Sequence, residues 1–114
     1  MRDPTERLRD ILDAITAIDR HLVGDKAAFE QDELRQVWFL RHLQIIGEAA
    51  RALPAEMRAL GVEIPWSKII GMRNVLVHGY FGIDIDIVWE AVTRDVPALK
   101  PAILALLMRI ENQP

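Results

Sequence analysis

Residues 33–53 read ELRQVWFLRHLQIIGEAARAL, closed by Pro54. The stretch holds no proline, and its apolar residues recur at three- and four-residue steps, the spacing of one face of a helix. It is therefore predicted as one long helix from about Glu33 to Leu53, with Val37, Leu40, Ile45, Ala49 and Ala52 among its buried positions and Pro54 as its stop. Gly47 within it costs about 1 kcal/mol of helix propensity relative to alanine, so a close approach of a second helix is the expected compensation.

The same periodicity extends outward in both directions. Upstream, Leu8, Ile11, Leu12, Ile15, Ile18 and Leu22 mark an amphipathic helix over about 5–22, started by Asp3-Pro4. Gly24 and the polar tract Asp25–Asp32 interrupt the pattern, and Ala27, Ala28 and Phe29 predict a connection that packs down. Downstream, residues 54–65 read as a connection with one helical turn around Glu56–Leu60, closed by Gly61. Ser67 is expected to cap a third helix running to His78, with Gly79 ending it and Tyr80 just outside. A last helical region over about 84–110 carries the stripe Ile87, Val88, Val92, Val96, Leu99, Ile103, Leu106 and Ile110. Pro97 and Pro101 predict a bend or break between Thr93 and Pro101. Period-two alternation is confined to Val62–Ile64 and Ile83–Ile87, so the predicted class is all-α, with short connections favouring antiparallel helices.

A chain of 114 residues fits one domain, expected to span 1–114. No apolar run is long enough to cross a bilayer, and Met1-Arg2-Asp3-Pro4 has no apolar stretch behind it, so a soluble, cytoplasmic protein with no membrane partner is expected. The sequence contains no cysteine, which excludes disulfides, thiol nucleophiles and thiolate metal sites. The net charge of −3 argues against a general nucleic-acid coat. It conceals a gradient: five Lys/Arg against nine Asp/Glu in residues 1–34, six against three in 35–79, and three against five in 80–114. The basic portion holds the densest chemistry in the chain. Ordinary solvated helix faces and an anion footprint both account for such a gradient.

That chemistry is Arg73-Asn74-Val75-Leu76-Val77-His78-Gly79-Tyr80. Within eight residues it brings together a permanent cation, a carboxamide, an imidazole and a phenol. At about 100° per residue, Arg73 stands about 140° around a straight helix from His78. Arginine's length, a helix end at Gly79, or a second copy of the motif from another subunit would bring both groups to one phosphate. RNA cleavage needs no cofactor, because a ribose 2′-hydroxyl attacks the neighbouring phosphorus once a base takes its proton. Histidine, with an unperturbed pKa of about 6.5, suits that base. Arginine clamps the phosphate oxygens as charge develops on them. Asn74 can orient either group.

The spacing Arg73, His78, Tyr80 resembles the R-x-x-x-x-H-x-Y signature of HepT toxins in the HEPN superfamily. Ile45-Ile46-Gly47-Glu48-Ala49, Pro65-Trp66-Ser67-Lys68-Ile69-Ile70-Gly71-Met72, Phe81-Gly82-Ile83-Asp84 and Val88-Trp89 also resemble that family, over roughly residues 35 to 107. The resemblance implies a HEPN-type antiparallel four-helix bundle with a short extra helical turn. It also implies a metal-independent endoribonuclease whose site is assembled at a homodimer interface, with Arg73 and His78 catalytic. HepT-type toxins are paired with a minimal nucleotidyltransferase antitoxin, MntA, which transfers AMP to the motif tyrosine; Tyr80 is the matching position. Such a modification sets bulk and negative charge beside the anion site. The alternative is a helical module that binds a nucleotide or a nucleotidyltransferase without cutting RNA, and a third reading is a structural adaptor.

Other residues have blander readings. His21 and His42 lack the convergent carboxylates of a metal site; His21 fits the negative end of a helix dipole. Glu48, a supporting candidate, is read first as a structural ion-pair partner, Arg73 among the options. Trp38, Trp66 and Trp89 can stack on bases, but core anchoring is the expected role. Asp84 and Asp86 are read as a helix start. Lys68, Arg41 and Arg51 are candidate phosphate contacts. No Gly-rich phosphate loop is present.

Overall fold

Asp3 and Pro4 begin the first helix as their chemistry dictates. The Asp3 carboxylate accepts from the Thr5 backbone N–H at 2.9 Å, and Pro4 occupies the first turn, where its missing donor costs nothing. This is a computed structural model, and it describes residues 3–75 and 82–112, with 72–75 described as backbone only.

Helix α1 spans Pro4–Asp19 and ends three residues before the spacing predicts, because the chain turns after Asp19 and reaches Gly24 in the left-handed region (φ 75°). Its inner face, Leu8, Ile11, Ala14, Ile15 and Ile18, is buried. The connection contains a further one-turn helix, α2 (Lys26–Glu30), capped by Asp25. Its Phe29 is wholly enclosed, 5.5 Å from the Phe39 ring and 5.2 Å from Trp89. The tract does pack down, and it does so around one aromatic side chain.

Helix α3 spans Glu33–Ala52, within one residue of expectation at its C-terminal end. Asp32 caps it through the Arg35 N–H at 3.1 Å, and Arg35 reaches back to the carbonyls of His21 (3.2 Å) and Val23 (2.7 Å), tying down the α1–α2 turn. Its buried set is Phe39, Leu43, Ile46, Gly47, Ala49 and Ala50. Two predicted core positions are therefore corrected: Val37 and Ala52 are exposed, because neighbouring helices cover the opposite side.

Helix α4 (Ala55–Ala59) is the expected short turn. Gly61 follows it where a Cβ would stand 3.0 Å from Ile64 and 3.2 Å from Leu106, so glycine there serves close packing against the last helix. Helix α5 spans Trp66–Val75. It begins at Trp66, so Ser67 lies inside the first turn and does not cap it. Pro65 supplies the preceding carbonyl, to which the Ile69 N–H donates at 3.1 Å.

The last run is continuous and helical: α6 (Ile85–Glu90), a π turn (Ala91–Asp95) and α7 (Val96–Glu111). The expected bend is this π turn. Pro97 has no N–H to give the Thr93 carbonyl, and the hydrogen bonding slips by one residue, with the Val96 N–H donating to the Ala91 carbonyl.

Among the described residues there is no strand, and no helix is long and apolar enough to cross a membrane. The architecture is all-α, and the described residues form four principal helical runs, α1, α3, α5 and α6–α7. Helix α3 is central, packing on both α1 and α5. Trp38 of α3 donates to the Ala17 carbonyl near the end of α1 (2.9 Å), and Arg9 near the start of α1 pairs with Glu111 at the end of α7 (2.6 Å). Both contacts fix antiparallel neighbours.

Candidate functional site

Helix α5 is positioned from its base upward. The Trp66 indole N–H donates to the carbonyls of Arg58 (3.0 Å) and Gly61 (3.1 Å), which anchors the start of the helix to the α4 turn. Ile69 is buried against the core, and Lys68 pairs with Asp95 at 3.1 Å. One turn after Ile69 the backbone reaches position 73, and one turn after half-buried Ile70 it reaches 74. Arg73 and Asn74 thus stand on the last described turn of a helix held at its other end. Their side chains, the whole of His78 and Tyr80, and the predicted stop at Gly79 lie outside the described residues.

Glu48 is exposed on α3, the helix on which α5 packs. Arg41 and Arg51 are exposed on the same helix. Lys68 remains largely open to solvent, its side chain 63% exposed despite the bond to Asp95. Two more basic side chains of the C-terminal run are committed elsewhere: Arg94 to Glu90 at 3.0 Å, and Arg109 to the Leu60 carbonyl and Glu63.

Between α5 and the π turn lies a cleft of about 380 Å³. Its floor is apolar, from Leu43, Ile46, Ile69 and Leu99, and its mouth carries Lys68, Arg94 and Asp95.

The remaining candidates take structural places. Trp66 and Trp89 are half-buried against the core, as expected of anchors. Trp38 is 38% exposed. Asp84 caps α6 through the Ile87 N–H at 3.1 Å, and Asp86 pairs with Lys26 at 2.6 Å, so both serve a helix start. That pairing holds the Lys26 ammonium above its ordinary pKa. Among the described residues no group of His, Asp and Glu is arranged to hold a metal.

One association escapes a residue-by-residue reading. The His21 ring meets Trp38 edge-on at 5.2 Å, and His42 lies over the same indole at 4.3 Å with its Nδ1 2.8 Å from the Trp38 carbonyl. His21 follows the end of α1, and its ring contact there is with Trp38. The i, i+4 spacing of Trp38 and His42 is the signal that announces their half of the cluster.

The family described as “Ribonuclease HepT-like” matches residues 11–106. The chain is 37% identical over 102 residues to a “Probable ribonuclease HepT” of Thermococcus cleftensis, covering 87% of this chain and 91% of that one. It is 34% identical over 110 residues to a “Putative RNase” of Caldanaerobacter subterraneus, covering 96% and 98%. A “Putative RNase” of Methanocaldococcus jannaschii is 35% identical over 100 residues, covering 87% and 92%. No solved structure matches the chain.

Proposed function

We propose that the chain, which belongs to the HepT-like ribonuclease family and is an RNA endonuclease, is the toxin of a toxin–antitoxin pair, cutting RNA without a metal through Arg73 and His78. The observation that carries this reading is the Arg73–His78–Tyr80 spacing, which begins on α5 and lies inside the matched span.

The chemistry asks little of the protein beyond placement. His78 takes the proton of a ribose 2′-hydroxyl, and the freed oxygen attacks the adjacent phosphorus. The bond to the 5′-oxygen breaks, and that oxygen leaves with a proton, giving a 2′,3′-cyclic phosphate and a 5′-hydroxyl. Arg73 binds the non-bridging oxygens as their charge grows, which lowers the barrier because the interaction strengthens on the way to the transition state. Asn74 and Glu48 support the pair by orienting it. Two copies of the motif, one from each subunit of a homodimer, supply the groups that a straight helix separates by about 140°.

Tyr80 is the regulatory position of the proposal. Transfer of AMP from ATP to the Tyr80 phenol oxygen by an MntA-like nucleotidyltransferase antitoxin, with pyrophosphate leaving and the phenol giving up its proton, would add a phosphodiester to the motif, where it competes with RNA for the Arg73 guanidinium. The motif begins on the last turn of α5 and continues past it in the chain, and no cofactor is needed for the cut.

Purified protein in chelator should cleave RNA and leave cyclic phosphate ends. Arg73→Ala and His78→Ala should each lower the rate by roughly 10²–10⁴, the range for loss of one acid–base or electrostatic group. Equal rates for all three proteins would remove the proposed chemistry. Intact mass after incubation with ATP and a cognate nucleotidyltransferase tests Tyr80, with Tyr80→Phe expected to gain nothing.

A further inference from the structure

Among the described residues, α3 packs on α1 and α5, and α7 packs on α1, while α5 and the π turn part over the cleft of about 380 Å³. That volume is in the range of small-ligand sites, and so is the lining, an apolar floor with a few polar groups at the rim. The chemistry of the cut does not use this cleft. Its rim joins two separate parts of the chain, with Lys68 from α5 and Arg94 and Asp95 from the π turn, a helical irregularity that recurs at functional sites.

The rim charges define the occupant. Lys68 Nζ and Asp95 Oδ1 stand 3.1 Å apart and span the mouth, with the Asp95 side chain 33% exposed. Asp95 makes no helix-capping bond, and Arg94 is held only by an exposed pair with Glu90 one turn back. Glu63, the other carboxylate bordering the cleft, pairs with Arg109 at 3.8 Å. Solvent-exposed pairs of this kind contribute little, so a ligand parts Lys68 from Asp95 if it answers both charges. A simple anion takes Lys68 and strands Asp95, and a simple cation does the reverse. A nucleotide answers both, with phosphate for Lys68 and Arg94, base N–H groups for Asp95, and flat ring faces for the apolar floor. Of the four RNA bases only guanine carries two adjacent N–H donors on one edge, at N1 and the N2 amino group, which match the two oxygens of a carboxylate.

We infer that the cleft is a guanine-binding subsite for RNA, in which Asp95 reads the base and Lys68 and Arg94 hold its flanking phosphates. Its place relative to the cut rests on the catalytic reading of Arg73. Ile69 lines the cleft, and position 73 stands one turn above it on the same side of α5. From Lys68 to position 73 the helix rises about 7.5 Å, a distance that one extended nucleotide spans. A guanosine in the cleft therefore lies beside the phosphate that Arg73 binds, and the enzyme cuts next to guanosine.

The test is calorimetric titration of the full chain, in chelator, with the 5′-monophosphates of guanosine, adenosine, cytidine and uridine. GMP should bind more tightly than AMP by roughly 5- to 150-fold, the range for a bidentate base contact. Asp95→Asn should abolish that preference, because an amide offers guanine one acceptor where the carboxylate offers two. Ala98→Trp sets an indole at an exposed position on the cleft, and it should exclude all four nucleotides while melting like the wild type. Equal affinity for the four, no binding of GMP, or a GMP preference that survives both substitutions would overturn the subsite. Sequencing of RNA products separates this claim from the chemistry of the cut. Wild-type products should share a guanosine at one fixed position beside the cut, and products of Asp95→Asn should lose it. Arg73→Ala should cut poorly and still bind GMP. Selective GMP binding without RNA cleavage keeps the subsite and sinks the Arg73–His78 mechanism, whereas cleavage with no base preference beside the cut does the reverse.

Discussion

Helices α1 and α3 lie side by side, and both start at an aspartate that caps them through a backbone N–H. They spend their apolar residues differently. In α1, Leu8, Ile11, Ile15 and Ile18 are all buried and no large aliphatic side chain is left exposed. In α3, Phe39, Leu43 and Ile46 are buried, while Leu34 and Val37 point to solvent. The folding of one chain covers every large aliphatic residue of α1, and leaves Leu34, Val37 and Trp38 of α3 exposed. The excess is what a helix carries when it has both a core to build and a surface to offer.

The difference can be broken first at its common part. Truncating the inner face of either helix should be equally severe: Phe39→Ala and Ile11→Ala, both at sites with no exposure, should each cost about 2–5 kcal/mol by chemical denaturation, the range for emptying a core site. A mild loss at Phe39 alone would mean that α3 is a peripheral helix. A serine at an aliphatic position should separate the two helices, because no large aliphatic side chain of α1 is exposed and Leu34 of α3 is. Ile15→Ser on α1 buries a hydroxyl in place of an aliphatic chain and should unfold the protein readily. Leu34→Ser on α3 should change the stability of the isolated monomer by no more than about 0.5 kcal/mol. A large monomer penalty at Leu34 would show that the outer face is internally packed.

The smallest expected effect concerns the caps that the helices share. Hydrogen bonds from the backbone and hydroxyl of Thr5 hold the Asp3 carboxyl below the usual carboxylate value of 3.8, and bonds from the backbone and guanidinium of Arg35 do the same for Asp32. A folded pKa below the unfolded one contributes stability above about pH 3.8, and that contribution is lost as the pH falls through the folded value. Asp3→Asn and Asp32→Asn should therefore flatten the fall in melting temperature between about pH 5 and pH 3. Both groups are exposed, so the change should be slight, and an unchanged acid limb would mean that water competes for these bonds.

Legibility in the sequence divides along the same line. Helix limits are written locally, in Asp3-Pro4, Asp32 and Pro54, and they emerge within a few residues. The face of α3 is not, because apolar residues stand on nearly every side of it and periodicity cannot choose between Val37 and Phe39; neighbouring helices choose. Phe29 reads as a residue that packs down, yet its role as a hub between Phe39 and Trp89 depends on contacts far apart in the chain. The Arg73, His78 and Tyr80 candidates come from spacing and family pattern. Only the backbone of α5, on which the first of them stands, is fixed by packing.

The π turn at Ala91–Asp95 has a consequence in the phase of the last helix. A turn bonded to the fifth residue holds one more residue than an α turn, so the segment stores a one-residue surplus. That surplus acts as an azimuthal offset of about 100° between the helical segments on its two sides. Trp89, the ring that closes over Phe29, lies just ahead of the offset, and Leu99 and Ile103 lie beyond it. One residue too many thus lets a single helical run address two differently oriented walls of the core, and deleting it would leave one wall aligned and turn the other away.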